Sequence, residues 1–441
     1  MKFARTRRVA VITVIAALIT LIVGGGTVSA QEIFAQFWES GVLVDPSIEI
    51  NRFGASMDLD GNFLVVGAPT SYVNGVLTGA AFVFQYIDGI GWRQDAVLLP
   101  DATTSGADFG LSVSIEGGTI AVGAPDDGLD SAFAGAVFIF TRHGSGQWTQ
   151  TQRLNAPTGA QAMGCSIDVE NNVLAAGALG DDRVASNAGA VIVFHRDGGG
   201  SWSLEDEILC PIVENNAWFG STVAVNGDRL FARDWESPPV GAVHVYNRAP
   251  DGQWSHHTML QESDPATRST FGTSIAFMGE RVLIGAPRAY NAAPATTTAG
   301  AVYAFERTEQ DAYVETGKIA RPELSLFGFG QDLSVFGDYL LLSHAQGTAL
   351  TRWVYIYEPD GAQWVQVGAR FDPAGSYSEY GLQVVMHSQF AIIADPGSRI
   401  DFFETRQKLG QGIRPAGLPD ITGDGIVDGF DLAVLLAGWG S

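Results

Sequence analysis

The chain has 441 residues, of which 46% are hydrophobic, and its formal net charge is −23 at pH 7. This length suffices for one large domain or for two to three ordinary ones. Its 54 glycines and few lysines argue against a helical bundle and predict a turn-rich, all-β chain. The negative charge argues against a nucleic-acid partner, because a phosphate backbone would be repelled.

Residues 1–30 have the anatomy of a secretory signal peptide. A basic stretch precedes an apolar run over 9–23, and Val28-Ser29-Ala30 forms a small-x-small cleavage site before Gln31. The apolar run is shorter than the ~20 residues that a membrane-spanning helix needs. We therefore predict a secreted, extracellular or cell-surface protein with no membrane span after cleavage. An uncleaved anchor is the alternative, and Arg7-Arg8 leaves the general and the twin-arginine export routes open.

A dipeptide of an aromatic residue or Met followed by Gly recurs seven times, roughly every 55 residues. The copies begin at Phe53-Gly54, Phe109-Gly110, Met163-Gly164, Phe219-Gly220, Phe271-Gly272, Phe329-Gly330 and Tyr380-Gly381. Gly-Ala follows fourteen residues after the start of four copies, and in three of these a proline comes next. A Gly-Ala-Val-x-x-aromatic pattern and a turn leading to Trp or Tyr complete most copies. Each copy thus predicts four strands, A to D, and such four-stranded repeats build β-propellers.

The two ends of the repeat region complement each other. The seventh copy ends at Phe402-Phe403 without a fourth strand, whereas Trp38 precedes the first copy without three strands before it. We predict that Phe37–Val44 is the outer strand of the last blade, which would close the ring and remove two exposed sheet edges. The expected fold is all-β, a seven-bladed β-propeller over 31–408 closed by an N-terminal strand. Because the fourth and sixth copies lack Gly-Ala-Pro, six blades plus one degenerate copy is the alternative.

These dipeptides resemble the FG-GAP repeat family, which occurs in integrin α chains and in bacterial surface proteins. The resemblance covers nearly all of residues 34–405 and implies the propeller fold, but propellers host unrelated activities. Integrin-type repeats often hold calcium in an Asp-rich loop between strands A and B. Here those links are hairpins too short to supply six or more oxygen ligands, so we predict that Asp58–Gly61 is a tight turn.

The connections between strands define two faces of the propeller. The short A–B and C–D turns share one face, and the longer B–C and D–A loops share the other, where binding residues usually lie. Acidic residues on this long-loop face predict either solvated turns or a site for a cation or a sugar; they are Asp126, Asp127, Asp130, Asp181 and Asp182, next to Arg183. Trp218, Trp235 and Tyr290 offer rings on which a sugar could stack.

The sequence contains no recognisable catalytic motif. Neither a Ser-His-Asp order nor H-E-x-x-H is present, and His256-His257 is predicted to lie on the surface of an outer strand. Cys165 and Cys210 are predicted to be ~14 Å apart, three strand spacings, which exceeds disulfide reach. An enzyme is therefore the less favoured class, although a pair of carboxylates brought together by the fold remains open.

The C-terminal residues form a separate unit after a Gly- and Pro-containing linker at 409–419. EF-hand spacing, positions 1, 3, 5, 7, 9 and 12, is occupied by Asp420, Thr422, Asp424, the carbonyl of Ile426, Asp428 and Asp431. Gly425 permits the sharp turn, and an exiting helix is predicted over 432–439. We predict that 420–441 binds Ca²⁺ as an EF-hand-like loop and helix; a disordered acidic tail is the alternative.

This loop-helix resembles one half of a dockerin type I module, and the ending resembles the single-copy tails of planctomycete-type secreted proteins. The resemblance implies a cohesin-like or cell-surface partner for 420–441. Together with the propeller it predicts a secreted or cell-surface binding protein. Its long-loop face would engage an extracellular protein or polysaccharide. The alternative is an extracellular carbohydrate-active enzyme that carries a dockerin-like tag.

Overall fold

The computed structural model describes residues 48–87, 91–235, 241–264, 269–289, 300–320, 328–344, 353–361, 363–371, 383–387, 390–395 and 399–404. All regular secondary structure in these ranges is β-strand. The predicted signal peptide, the closing strand Phe37–Val44, the linker and the calcium segment 420–441 lie outside the described residues. These four assignments therefore stay predictions.

The strands form antiparallel sheets that follow the repeat. The first seven strands are β1 (Ile48–Glu49), β2 (Ser56–Asp60), β3 (Phe63–Ala68), β4 (Tyr72–Val73), β5 (Val76–Leu77), β6 (Ala80–Ile87) and β7 (Gly91–Leu98). Sheet 1 has the order β2-β3-β6-β7, and β1, β4 and β5 form a small separate sheet. In the small sheet, β4 and β5 belong to the B–C connection of the first copy, and they pair with β1, which precedes its A strand.

Sheets 2 to 4 each contain four consecutive strands in sequence order. Sheet 2 consists of β8 (Val113–Glu116), β9 (Thr119–Ala124), β10 (Ala136–Arg142) and β11 (Trp148–Asn155). Sheet 3 consists of β12 (Met163–Glu170), β13 (Val173–Ala178), β14 (Ala190–Arg196) and β15 (Trp202–Leu209). Sheet 4 consists of β16 (Val223–Asn226), β17 (Arg229–Asp234), β18 (Ala242–Arg248) and β19 (Trp254–Leu260).

Sheets 5 and 6 repeat this arrangement, and sheet 7 has three strands among the described residues. Sheet 5 consists of β20 (Ser274–Met278), β21 (Arg281–Ala286), β22 (Ala301–Arg307) and β23 (Tyr313–Ala320). Sheet 6 consists of β24 (Phe329–Phe336), β25 (Tyr339–His344), β26 (Trp353–Asp360) and β27 (Gln363–Phe371). Sheet 7 consists of β28 (Gln383–His387), β29 (Phe390–Asp395) and β30 (Arg399–Glu404). We keep the letters A to D for the strands of each sheet.

Burial explains why the B and C strands are the most apolar. All six residues of β9 are buried, and the first five of β10 are buried as well. These strands lie between two neighbouring sheets, so both of their faces are covered. Strand D lies at the outside, and β11 alternates between exposed and covered residues. The alternation expected for a half-buried strand is thus confined to the outer edge.

The aromatic residue of the opening dipeptide fills the junction between neighbouring sheets. Phe109 is fully buried and packs edge-to-face on Phe138 of its own sheet, with ring centroids 5.3 Å apart. It also joins the core that contains Val83 of sheet 1. Gly110 has a φ of +94°, and a Cβ at Gly67 of sheet 1 would overlap its carbonyl oxygen. Both glycines are therefore required by the close approach of two backbones.

The turns also agree with the sequence. Gly117-Gly118 separates β8 from β9, and the Gly-Ala-Pro of the second copy ends β9 at Ala124, directly before Pro125. The prediction of a tight turn over Asp58–Gly61 is wrong for its first three residues, which end β2; the turn begins at Gly61, which has a φ of +57°. Proline cannot donate to the ladder, so it stops the strand.

The A strands of the seven sheets lie side by side, each beside the A strand of the next sheet. The series returns from β28 of sheet 7 to β2 of sheet 1. Val66 and Phe82 of sheet 1 share a buried cluster with Ile392 of sheet 7. The sheets therefore surround a common axis instead of stacking as an open rod. Whether 37–44 supplies a fourth strand to sheet 7 lies outside the described residues.

Candidate binding face

The loops of the long-loop face are tied to one another across the junctions between sheets. Gly79 and Phe109 form an isolated parallel bridge between sheets 1 and 2, and equivalent bridges occur at three other junctions. The Asn216 N–H donates to the Ser186 carbonyl at 2.7 Å, and the Trp235 N–H donates to the Ala217 carbonyl at 2.7 Å. Long loops are thereby held on a rigid scaffold, which suits a binding surface.

The residue before the opening dipeptide has a left-handed backbone in five of the copies that the structure describes. Its φ lies between +46° and +61° in five copies, at Arg52, Asp108, Ala162, Trp218 and Thr270. Positive φ at a non-glycine residue is uncommon and often marks a functional site. Here it recurs from copy to copy, so it belongs to the repeat geometry and carries no functional information about Trp218.

Most of the acidic residues predicted on the long-loop face form ion pairs within the fold. The Asp127 carboxylate is fully buried and accepts hydrogen bonds from Arg153 Nη2 at 2.8 Å and from the Thr104 N–H at 3.2 Å. Arg153 also pairs with Asp130 at 2.5 Å. A buried carboxylate needs such partners. These bonds attach the B–C loop of sheet 2 to its outer strand.

Sheet 3 uses a different pair for the same purpose. The buried Asp181 carboxylate pairs with Arg183 at 2.6 Å, and Arg183 reaches on to Glu207 of strand D. Asp182 accepts the Asn187 N–H at 2.6 Å. Asp126 is exposed on this face. Among the described residues no group of three or more His, Cys, Asp or Glu side chains is arranged to hold a metal ion.

Two of the three predicted aromatic residues come together on the long-loop face. The rings of Trp218 and Trp235 are 5.7 Å apart and nearly perpendicular, at 76°. Trp235 is 36% exposed, and the guanidinium of Arg233 lies 4.1 Å from the centre of its ring. The arrangement combines two flat apolar surfaces with a cation. Tyr290 lies outside the described residues.

A buried polar chain lies behind this aromatic pair in sheet 4. His244 Nε2 is 2.9 Å from Asp234 Oδ2, and His244 Nδ1 is 3.1 Å from His256 Nε2. Asp234 and His244 are buried, whereas His256 is exposed, as predicted from the sequence. His257 is half-buried and bonds the Asp311 carbonyl at 2.6 Å, so its side chain lies against sheet 5.

The sequence signal for this polar chain is a departure from the repeat, which a search for catalytic motifs does not detect. Four other copies carry Ala at the position of Asp234, as at Ala124, and an apolar or aromatic residue at the position of His244, as at Phe138. Polar residues in buried strand positions need a partner within the fold. Replacement of apolar residues by Asp and His in the same copy therefore indicates a paired polar site.

The two cysteines are free thiols, as predicted. Cys210 is buried and Cys165 is half-buried, with its thiol 3.8 Å from the Gly220 carbonyl. Burial raises the pKa of both thiols to about 11. Such thiols carry little thiolate at neutral pH and are poor nucleophiles.

Carboxylates on the A strands bind the amides of the next sheet around the central axis. The Ile115 N–H donates to Asp58 Oδ2 at 2.8 Å, and the Val225 N–H donates to Asp168 Oδ2 at 2.6 Å. Asp332 accepts the Val384 N–H in the same way at 2.7 Å. The exposed edge of an inner strand is thereby satisfied by the preceding sheet.

The pKa values of these three carboxylates are raised above the ordinary value of an aspartate. Burial raises the pKa of Asp168 to about 7; the Val225 amide opposes this shift, and the Asp58 and Glu170 carboxylates reinforce it. Burial likewise raises the pKa of Asp332 to about 7. The pKa of Asp58 is shifted upward for the same reason. Raised carboxyl pKa values occur both at catalytic sites and in structural networks.

The sheets and the junction geometry define an all-β protein of the β-propeller class. Three stretches, residues 49–84, 92–140 and 254–305, match the FG-GAP repeat family. The chain thus contains stretches similar to FG-GAP repeats within a β-propeller-like fold. FG-GAP repeats generally occur in extracellular or cell-surface proteins. No helix long and apolar enough to cross a membrane occurs in the ranges that the structure describes.

Comparison with solved structures gives the same fold. The chain is similar to a Bacteroides uniformis protein described as a candidate 6-phosphogluconolactonase, with a TM-score of 0.51 and 13% sequence identity. The match covers 76% of this chain and 89% of that protein. At this identity the likeness concerns the fold alone. No curated protein matched the sequence.

Proposed function

We propose that this protein is a secreted or cell-surface binding protein whose long-loop face engages an extracellular protein or polysaccharide. The observation that carries the proposal is the partly exposed pair of Trp218 and Trp235 on that face. An indole ring presents a flat apolar surface to the C–H face of a sugar, and partly exposed aromatic clusters mark interaction sites. The pair favours the polysaccharide.

The experiment is retention of the full chain by a panel of immobilised polysaccharides. We expect at least one to retain the protein and Trp235→Ala to weaken that retention about tenfold, the loss typical of an aromatic hot spot. Val213→Ala is the matched control, because Val213 is an apolar residue of the D–A connection that also holds Trp218, and it is 78% exposed. Retention that Trp235→Ala leaves unchanged would contradict the proposed face.

We propose further that 420–441 attaches the protein to a cohesin-like or cell-surface partner in a calcium-dependent way. Its support is the EF-hand spacing from Asp420 to Asp431. Export through the predicted signal peptide would place this segment where calcium is abundant. A short helix is marginal in isolation, so metal binding and ordering of the segment should be coupled.

A second candidate function, an extracellular carbohydrate-active enzyme, has one observation in its favour. Asp58 and Asp168 influence each other electrostatically, and the pKa of Asp168 is raised to about 7, which is suitable for a general acid. Against it, each carboxylate is already occupied by a backbone amide of the next sheet. Release of soluble sugars from a retained polysaccharide would support the enzyme, whereas retention without release supports the binding protein.

A further inference from the structure

Arg233 occupies a repeat position at which four other copies have glycine and no room for a side chain. The equivalent residues are Gly67, Gly123, Gly177 and Gly285, and a Cβ at any of them would overlap the carbonyl oxygen of a glycine in the next sheet. In sheet 4 the neighbouring backbone is arranged differently. The Thr222 hydroxyl donates to the Thr273 carbonyl at 3.3 Å, whereas the equivalent Ser112 donates to the opening-dipeptide glycine Gly164. The junction between sheets 4 and 5 is thus shifted by one residue and accommodates the arginine.

The guanidinium of Arg233 is buried with its Nε unpaired within the described part of the chain. Arg233 is 4% exposed, and no acceptor among the described residues reaches this nitrogen. The nearest carboxylate in sequence, Asp234, is bonded to His244. Burial lowers the pKa of Arg233 to about 9, with Asp234 opposing the shift. A guanidinium whose buried Nε–H has no acceptor is unfavourable for the fold, which indicates that the arginine is retained for an external acceptor.

The surroundings of the guanidinium define the shape of that acceptor. The cation lies 4.1 Å from the centre of the Trp235 ring, and the Trp218 ring stands nearly perpendicular to Trp235. A Cβ at Gly272 would contact Cγ of Arg233 at 2.9 Å, so the stem of the arginine is held against sheet 5. The site therefore combines a fixed planar donor with two aromatic walls.

We propose that Arg233 binds the carboxylate of a uronic acid unit whose sugar ring packs against Trp218 and Trp235. A guanidinium matches a carboxylate in plane and spacing, so the two form paired hydrogen bonds. The aromatic walls favour a ring with an apolar C–H face over an acidic peptide. The formal charge of −23 repels a dense polyanion, so the fitting ligand carries isolated carboxylates. This inference rests on the proposed polysaccharide-binding function and specifies its substrate class.

The test is calorimetric titration of the full chain with glucuronic acid and galacturonic acid, compared with glucose and galactose. We expect at least one acid to bind at least tenfold more tightly than its neutral counterpart. Arg233→Gln should abolish this preference. Arg288→Gln is the matched control, because Arg288 is exposed and follows the equivalent Gly-Ala-Pro of sheet 5, so the charge change is the same.

Arg233→Gly separates a ligand-binding role from a structural one. It restores the glycine found in four other copies, so we expect an unchanged or higher midpoint of thermal unfolding together with loss of the acid preference. A large fall in that midpoint would show that the arginine stabilises the fold, and the proposal would be wrong.

The remaining outcomes distinguish this inference from the proposed function. Equal affinity for acid and neutral sugars, or no sugar binding by a chain that immobilised polysaccharide still retains, overturns the role of Arg233 and leaves the binding face intact. If N-acetylglutamate binds and neither uronic acid does, the ligand is an acidic peptide and the proposed uronic acid is wrong. Absence of retention by every polysaccharide would remove the proposed function itself.

Discussion

The hydroxyl of Ser112 donates a hydrogen bond of 2.7 Å to the carbonyl oxygen of Gly164, and this bond joins sheet 2 to sheet 3. The same bond occurs at three other junctions, from Ser56 to Gly110, from Ser166 to Gly220 and from Ser274 to Gly330. In each case the serine stands three residues after the aromatic or Met of the opening dipeptide. The repeat therefore includes a hydrogen bond from a serine hydroxyl to a glycine carbonyl of the next sheet. We call this bond the serine lock.

Removal of this lock should destabilise the propeller. Ser112→Ala leaves the buried Gly164 carbonyl without its donor, which costs about 1–3 kcal/mol in the free energy of unfolding. Denaturant unfolding of the full chain measures the loss. The control is Ser145→Ala, because Ser145 is exposed in a C–D turn. Equal stability of the two variants would contradict the lock.

The glycine of the Gly-Ala-Pro should be even less replaceable. A Cβ at Gly123 would overlap both the Gly164 carbonyl oxygen and the Ser112 hydroxyl, so Gly123→Ala must displace backbone. We expect a loss of about 1–3 kcal/mol or more in unfolding free energy. Gly144→Ala, which meets no atom within 4 Å, should change stability by less than about 0.5 kcal/mol. Similar losses in both variants would show that the close contact between sheets is unimportant.

The inner carboxylates should make stability depend on pH. Asp168 has a pKa of about 7 in the fold and about 3.9 when unfolded, so between these values the folded state binds more protons. Stability from this group is therefore present at low pH and is lost as pH rises from about 4 to 7.

Asp168→Asn keeps an acceptor for the Val225 N–H but cannot ionise. We expect the difference in unfolding midpoint between variant and wild type to shift in favour of the variant from pH 5 to pH 8. Asp338→Asn, at an exposed turn residue, is the control. A difference that stays constant across this pH range would mean that Asp168 titrates normally.

The calcium prediction for 420–441 has a direct calorimetric test. Asp424 is the ligand at position 5 of the loop, and Asp424→Ala should abolish the heat of calcium binding by the full chain. Asp251→Ala, at an exposed turn residue of the propeller, removes the same charge and should leave that heat unchanged. Equal heats from wild type and Asp424→Ala would remove the metal site from the proposed function.

The sequence alone was enough to predict the four strands of each copy and the short turns between them. These features depend on residues close together in the chain, such as Gly117-Gly118 between two apolar strands, and on their recurrence. The serine lock also had a sequence signal, because serine recurs at one repeat position. The hydrogen bond of this serine could not be predicted from the sequence, because its acceptor lies in the next copy and only the packing of two sheets brings the two atoms together.

The candidate site also combines features that the sequence predicted with features that only the tertiary structure showed. Trp218 and Trp235 were predicted from the sequence as aromatic residues on the long-loop face. Arg233 was not singled out, because the sequence showed only that the fourth copy lacks Gly-Ala-Pro. Only the tertiary structure showed that Arg233 lies buried against Trp235, with no acceptor for its Nε among the described residues, and that Asp127 is neutralised by Arg153. Hydrogen bonding and burial of a charge depend on groups from several strands, so a repeat pattern determines the scaffold and the packed sheets decide which polar groups remain available to a ligand.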